Sequence, residues 1–598
     1  MTENSQRAEE TSRQPLGRFD VLAVLALFIP SYFIIVLINR YAINVPYWDI
    51  WDWSVRRFAF DVGYNLRDLW GLTNEHRMVF PQIIDLMIAN ATSLDIIPRI
   101  YAKVPFAVAI AIVLYFLYRM KGTSPLVFGL AIPISMLSFS LSYSPAWVDP
   151  NPLASHLSIL TLILALMAIT GLKVSWRALS LAAVATFVSS LSYASGNASW
   201  VVIFALLYFK GYRKRQYFIV WTLLALSVLI PYVIDIYQST TVIRTVRPAG
   251  LLDLGKFILT FIGAPLSANN TLIGFSASIL GLLGLVGVFV LSFAIKVHIK
   301  DGVKKMIPWL ALIVWVLLNA GAAALGRSGK YGTEGAAVWR YAHIQTLFWI
   351  GIAALIAILL TEPHRNVNQE KQINTKVWLD VIAIILTLVI GIGYTNANFD
   401  KIQNNRLEDQ SHYFAAAREC LLNYEYANDD CLRQLYPDPD RIRRYMPRLI
   451  ERGASFIYDP ELKFATAIIE AENPRWIRHE HLNLEDTTHE VIFQHPPSEL
   501  TWQLNLQQRY NQITLRTGMI ILLPSHHDAS PSDGVLFRIS VIKDGQEQEM
   551  FAELVLPTKN DKGFQLIDID LSMYAGEVVK LRFSTSPGLY ASYHANYD

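Results

Sequence analysis

The chain has 598 residues, of which 53% are hydrophobic and 17% charged, and its mean hydropathy is +0.31. Soluble domains carry about a quarter charged residues, so these values exclude an ordinary soluble protein. The net charge of +2 says little alone, because membrane topology depends on where charges lie; no nucleic-acid partner is expected.

Apolar runs long enough to cross a hydrocarbon core are read at Phe19–Asn39, Tyr101–Tyr118, Pro125–Leu141, His156–Leu172, Leu179–Ser195, Trp200–Phe209, Phe218–Ile236, Ile273–Val297, Ile307–Leu325, Ala342–Leu360 and Val377–Tyr394, roughly eleven helices. Every second loop is basic: Arg7, Arg13 and Arg18 precede the first run, and Arg119 with Lys121, Lys173 with Arg177, Lys210 with Arg213, Lys300 with Lys304, and Arg365 with Lys371 mark the others. By the positive-inside rule the N-terminus (1–18) is cytoplasmic and, with an odd number of spans, the C-terminus is outside. The first run reads as a signal anchor, since no small-residue cleavage site follows it.

The first outside loop, 40–99, is rich in aromatic residues. It carries Tyr47-Trp48-Asp49-Ile50-Trp51-Asp52-Trp53 and then Asn74-Glu75-His76-Arg77. On a helix Asp49 and Asp52 share a face, and Trp48, Trp51 and Trp53 suit the headgroup level. Asp49, Asp52 and Glu75 are the candidate bases. Later outside loops add Trp147, Asp149 and His156, and then Asn197 in a small polar turn. The fifth contributes Arg327, Lys330, Arg340 and Tyr341. These cations lie on the side that the positive-inside rule leaves poor in charge, and Arg suits bidentate phosphate contact. His76 and Arg77 join them as phosphate contacts, with Arg244 and Arg247 as further candidates for the same rim. Plainer roles also fit: an interfacial Trp belt, a Glu75 salt bridge to Arg77 or His76, and an Arg pairing with Glu334. Trp48, Trp147, Asp149, His156 and Asn197 are the candidate sugar- or acceptor-lining residues. Carboxylates for a base and cations for a phosphate leaving group thus share one membrane face. Nucleotide sugars occur in the cytoplasm, so a polyprenyl-phosphate sugar is the natural donor on this face.

Beyond Tyr394 the chain reads as soluble. A helical region, 395–455, contains both cysteines, Cys420 and Cys431, for which a disulfide is chemically allowed. From 456 to 598 short β-rich segments alternate with turn signals such as Lys543-Asp544-Gly545, the pattern of a β-sandwich. The stretch Ile567–Gly576 followed by Leu581–Thr585 resembles the last strands of jelly-roll carbohydrate-binding modules.

The membrane part, 19–394, resembles the GT-C superfamily of membrane glycosyltransferases, especially bacterial O-antigen-modifying members. It has a first span, a long outside loop with an acidic residue soon after it, many later spans and an outside C-terminal domain. The resemblance implies a polytopic α-helical protein in the bacterial inner membrane that transfers a sugar from a polyprenyl phosphate to a glycan, lipid or protein acceptor with inversion. It makes Asp49 the base, with Asp52 or Glu75 in reserve. It requires no cofactor and leaves a divalent metal, magnesium or manganese, as an optional helper. The chain lacks the adjacent Asp-Glu pair of protein mannosyltransferases and the Trp-Trp-Asp-Tyr-Gly motif of oligosaccharyltransferases. The rival readings are a lipid-linked oligosaccharide polymerase or ligase, and a glycan flippase or export component.

Overall fold

The computed structural model describes residues 18–60, 66–120, 129–141, 144–149, 153–238, 250–267, 273–363, 369–403, 406–422, 424, 427–457, 468–471, 477–484, 487–494, 496–506, 514–519, 534–555, 565–574 and 577–587. Arg7, Arg13, Lys121, Arg244, Arg247, Arg365 and the Ala575-Gly576 turn lie outside the described residues. The chain divides into two compact units, Met1–Ala416 and Ala417–Asp598.

The first unit is helical. Eight of its described helices are long and apolar enough to cross a membrane: Asp20–Tyr41, Ile96–Arg119, Leu153–Gly171, Arg215–Gln238, Gly274–His298, Gly302–Tyr331, Trp339–Thr361 and Trp378–Asp400. Three further expected spans are shorter helices. Ala131–Ser138 has 8 residues, Trp176–Ser190 has 15 and Ala198–Lys210 has 13, against the roughly 20 that a hydrocarbon core asks of a perpendicular helix. Apolar composition alone did not reveal these lengths, because breaks such as the 3-10 turn Ala194–Asn197 interrupt runs that remain apolar on both sides.

Burial sorts the helices into centre and rim. The most apolar windows of Leu153–Gly171 and Trp339–Thr361 are 83% buried, whereas that of Trp378–Asp400 is 17% buried. Large tryptophans fill the centre, and several of their indole N–H groups find acceptors, as an apolar medium favours, although the buried Trp309 Nε1 has none among the described residues. Trp221 donates to the Trp200 carbonyl at 3.0 Å, Trp315 to Ser199 Oγ at 3.1 Å and Trp349 to the Ile262 carbonyl at 2.7 Å. Helix Leu251–Gly263 meets helix Ile273–His298 with backbones nearly touching. A Cβ at Gly263 would lie 1.8 Å from the Ala277 carbonyl oxygen, and one at Gly281 would lie 2.1 Å from that of Leu259. Small residues permit such approach where lipid supplies no hydrophobic drive.

One end of the bundle is tied by basic residues. Arg119 pairs with Asp20 at 2.9 Å, Lys305 pairs with Glu362, and Lys210 donates to the Thr170 carbonyl at 2.8 Å. The Asp49, Glu75 and Arg340 segments belong to the opposite ends of these helices.

The second unit opens with helices. Asn428 caps Asp429–Arg433 and Asp438 caps Pro439–Glu451, and Cys420 is joined to Cys431 with Cα atoms 5.6 Å apart. Nine antiparallel strands follow among the described residues: β1 Ile468–Ala471, β2 Ile477–Leu484, β3 Thr487–Gln494, β4 Ser498–Asn505, β5 Thr514–Met519, β6 Val535–Lys543, β7 Gln546–Val555, β8 Gln565–Asp570 and β9 Val578–Pro587. Five form a sheet in the order β1-β4-β9-β6-β7, and β2-β3 and β5-β8 form two ribbons. Ile567 and Ile569 of β8 pack on Ile539 and Val541 of β6 and on Val579 and Leu581 of β9, so the β5-β8 ribbon covers a face of the large sheet. Asp544 and Gly545, both at positive φ, close the β6-β7 hairpin with Lys543 opposite Gln546, the two-residue turn that favours such residues.

Candidate functional site

In the loop 40–99 the segment that carries Asp49 is a 3-10 turn and not part of an amphipathic α-helix. After extended Tyr47, residues Trp48–Trp51 make a 3-10 turn, and the Asp52 N–H donates to the Asp49 carbonyl at 3.1 Å. In a 3-10 turn residues three apart eclipse, so Asp49 and Asp52 do share a face, although not on an α-helix. Ile50 and Trp51 are fully buried, and the Trp51 indole donates to the Pro46 carbonyl at 3.0 Å. Trp53 is also buried, leaving only Trp48 exposed. The expected interfacial Trp belt is therefore a correction: two of its three members anchor the turn. Trp48 keeps the exposure that a sugar-facing residue needs.

This anchoring sets the chemistry of Asp49. Burial lifts its carboxyl to about 6, the charges of Asp52 and Asp149 add to the rise, and Arg340 opposes it. A carboxyl that exchanges its proton near neutrality is suited to general base work.

The second part is a tight turn. Thr73 and His76 exchange two backbone hydrogen bonds, of 2.8 and 2.9 Å, around Asn74 at φ 52°. The turn projects Glu75 and His76. Glu75 forms an ion pair with Arg327 from helix Gly302–Tyr331, and its carbonyl accepts from the Tyr232 hydroxyl. The His76 ring stacks on Tyr193 at 4.0 Å, and the Ala194 N–H donates to His76 Nδ1 at 3.4 Å. The imidazole proton is thereby assigned to Nε2, which lies 3.6 Å from Glu75 Oε1. Burial lowers the His76 pKa to about 4, so the ring is neutral at physiological pH. Burial would raise the Glu75 carboxyl, but His76 and Arg327 outweigh it and hold it at about 2. Because His76 is uncharged above about 4, Arg327 is the partner that keeps Glu75 ionised there.

The third part holds Asp149. Lys103, itself fully buried, donates to the carbonyls of Ala146, Trp147 and Asp149 at 2.6, 3.0 and 2.5 Å. It thus closes the C-terminal end of the short helix Ser144–Val148 and fixes the residue that follows. Four residues before Lys103 in the span Ile96–Arg119, Arg99 pairs with Asp85 at 2.5 Å and donates to Ser54 Oγ at 3.3 Å. Arg99 also has Asp149 and Asp49 as electrostatic neighbours. Arg340 completes the group. It is exposed, acts on both Asp49 and His76, and forms no ion pair among the described residues. Tyr341 lies beneath the Arg327 guanidinium at 5.7 Å.

The fold therefore gathers Asp49, Asp52, Glu75, His76, Asp149, Arg327, Arg340 and Tyr341 from five segments of the chain. Five other candidates are not in this group. Arg77 has no solvent exposure, pairs with Asp235 and lies 4.3 Å over the Trp70 ring, which removes it from a phosphate-facing role. Lys330 is exposed and leans on its neighbour Tyr331 at 5.0 Å. Trp147 is fully buried, donates to the Ser140 carbonyl at 3.2 Å and stacks on Phe139, so it is core and not a sugar platform. His156 is buried against His343 with ring centres 4.0 Å apart, beside a water-sized cavity of about 20 Å³. Asn197 reaches Tyr232 and so supports the Glu75 turn. Of the two partners expected for Glu75, Arg77 is replaced by Arg327, and His76 stays beside it at 3.6 Å.

Sequence reasoning passed over Arg99, Lys103, Asp85 and Tyr193. A lysine three residues inside an expected apolar span was the available signal, since an ionisable group placed there needs a reason. Among the described residues no three His, Cys, Asp or Glu side chains are grouped to hold a metal ion, and no step is assigned to one.

No family model matches the chain. An uncharacterized protein of Archaeoglobus fulgidus is 26% identical over 195 residues, which are 30% of this chain and 47% of that protein. The chain thus spans about half the length of that relative.

Proposed function

We propose that this chain is a membrane glycosyltransferase of the GT-C kind, moving a sugar from a polyprenyl-phosphate donor to an acceptor hydroxyl on the extracytoplasmic face. The observation that carries the reading is a carboxyl lifted to about 6, Asp49, with the exposed Arg340 as an electrostatic neighbour. The acceptor O–H gives its proton to the Asp49 carboxylate, and the oxygen attacks the anomeric carbon. The bond from that carbon to the phosphate oxygen breaks, and polyprenyl phosphate departs with the electron pair. Arg340, with Arg327 beside it, meets the charge that develops on the phosphate. Glu75 serves as the counter-ion that orients Arg327 and not as the base, because a carboxylate held at about 2 is a weak proton acceptor.

Around this centre we read the three shorter helices as completing an eleven-helix bundle, with the basic end of the bundle in the cytoplasm. The β-rich part is read as a jelly-roll-like module on the outside of a plasma membrane, bacterial by the resemblance. The buried cations Arg99 and Lys103 are each engaged by protein groups, which favours a site at one end of the bundle over a transport path.

The test is a transfer assay. Purified protein in lipid is offered a panel of polyprenyl-phosphate sugars, and release of polyprenyl phosphate is followed beside the Asp49→Asn protein. Release lost in the variant supports the reading; full release by the folded variant sinks Asp49 as the base.

A further inference from the structure

Helix Pro439–Glu451 of the second unit carries an arginine at positions 441, 443, 444 and 448, with Arg452 at its C-terminal cap. Its apolar residues Ile442, Tyr445, Met446 and Leu449 are buried in its own unit, so the helix has no free apolar face with which to enter a membrane. The arginines divide by what they touch. Arg441 reaches Asp438 and Tyr436, and Arg443 reaches Asp429 at 2.8 Å. Arg444, Arg448 and Arg452 are exposed and follow one another at intervals of four, so they line one side of the helix. Arg448 has only Glu451, at 3.8 Å, and Arg444 forms no ion pair among the described residues. The helix dipole accounts for cations in the last turn, hence for Arg448 and Arg452, but not for Arg444 in the middle.

We infer that this arginine stripe is a docking surface for the phosphates of anionic lipid headgroups. Three observations carry it. The stripe is a line of exposed, delocalised cations spaced about 6 Å apart, matched to closely set phosphates. Of its acidic neighbours, Asp429, Asp430, Asp438 and Asp440 are already engaged by Arg433, Arg441 and Arg443, which leaves Glu451 at 3.8 Å from Arg448. The helix begins 39 positions (439 − 400) after Asp400, where the last candidate span ends, so it is tethered to a bilayer whichever way the second unit is turned. With its apolar face occupied, the attraction is Coulombic and salt must weaken it. This inference does not rest on the transferase reading.

The test uses the full chain in nanodiscs. Cys420 and Cys431 are bonded to each other, so a Pro447→Cys protein offers a single reactive thiol for a fluorophore next to the stripe. Headgroup-quencher lipid is included in discs of either phosphatidylglycerol mixed with phosphatidylcholine or phosphatidylcholine alone. The expected result is quenching in the anionic discs only, falling by more than half at about 0.5 M salt, where the Debye length is roughly 4 Å. Arg444→Gln, Arg448→Gln and Arg452→Gln together should abolish it, while the three Lys replacements retain it and show that the unit still folds. Equal quenching in both kinds of disc, or quenching that survives the Gln variant, overturns the proposal. So does a label that ignores both discs but responds to a soluble acidic glycan, which would make the stripe a glycan surface.

Discussion

Replacing Asp85 with Asn should destabilise the membrane unit by about 3 kcal/mol without touching a residue assigned to transfer. Asp85 and Arg99 are each 4% exposed and pair at 2.5 Å, with Ser54 bonded to both. Removing one partner of a buried pair costs about 3–5 kcal/mol, because the remaining charge has left water and keeps no counter-ion. Here the lower end applies, since Arg99 retains Asp149 and Asp49 as neighbours and the asparagine oxygen still accepts a hydrogen bond. Removing both charges, Asp85→Leu with Arg99→Met, should return the loss to within about 1 kcal/mol, as buried pairs exchange for apolar residues with little penalty. The measurement is unfolding by SDS in mixed micelles, followed by tryptophan fluorescence, for wild type, both singles and the double. A single-variant loss below about 1 kcal/mol, or a double that loses more than either single, would refute the account of Arg99 as a dependent buried cation. A second readout follows: with Asp85 neutral, Arg99 leans more on Asp49, whose titration midpoint should fall below about 6.

Other outcomes are expected. Asp49, raised from 3.8 to about 6, binds its proton more tightly folded than unfolded. Stability should therefore fall by up to about 3 kcal/mol as pH rises from 4 through 6, and Asp49→Asn should flatten that slope in a pH series of unfolding curves. Transfer should rise about tenfold between pH 5 and 7, as the base loses its proton; an activity flat across that range would remove Asp49 from that role. Glu75 runs the other way: its ion pair with Arg327 stabilises above about 4.5 and is lost as pH falls toward about 2, so Arg327→Gln should bring the Glu75 midpoint back toward the ordinary carboxyl range in a difference infrared titration. Cys420→Ser should lower the stability of the second unit by about 3 kcal/mol, the loop entropy for a separation of 11 residues, measured by urea unfolding of the full chain under non-reducing conditions.

The sequence made the apolar helices, the aromatic first loop and the Asp49, Glu75, Arg327 and Arg340 candidates legible, because hydropathy and misplaced charge are local properties. Partnership is not local. Glu75 meets Arg327 across 252 positions and Arg77 meets Asp235 across 158, and two residues of one tetrapeptide were sent in opposite directions. Nothing along the chain distinguished Glu75 from Arg77 as the one that reaches the Asp49 group. Trp147 misled for a similar reason. A tryptophan beside prolines in a loop between apolar runs looks like a platform, but its indole found an acceptor at Ser140 and its ring found Phe139. Helix length failed where the chain stays apolar through a break. In the β-rich part the turn residues marked the β6-β7 hairpin, whereas the neighbours of β9 in the sheet are set by pairing across distant segments.

The glycine contact between helices Leu251–Gly263 and Ile273–His298 reaches further than its own two residues. Ile262, next to Gly263, takes the Trp349 indole hydrogen bond, and Phe261 packs on Tyr341 at 5.2 Å. The seat of Tyr341, and with it the position of Arg340 one residue earlier, is thus levelled from behind by two backbones pressed together. A side chain as small as that of alanine at Gly281 would act as a shim, tilting the whole seat. Such a lesion would arise at a site facing no substrate, yet in an assay it would look like damage to the arginine itself. Inherited or engineered changes along this seam should therefore be judged by where they push and not by how near they stand.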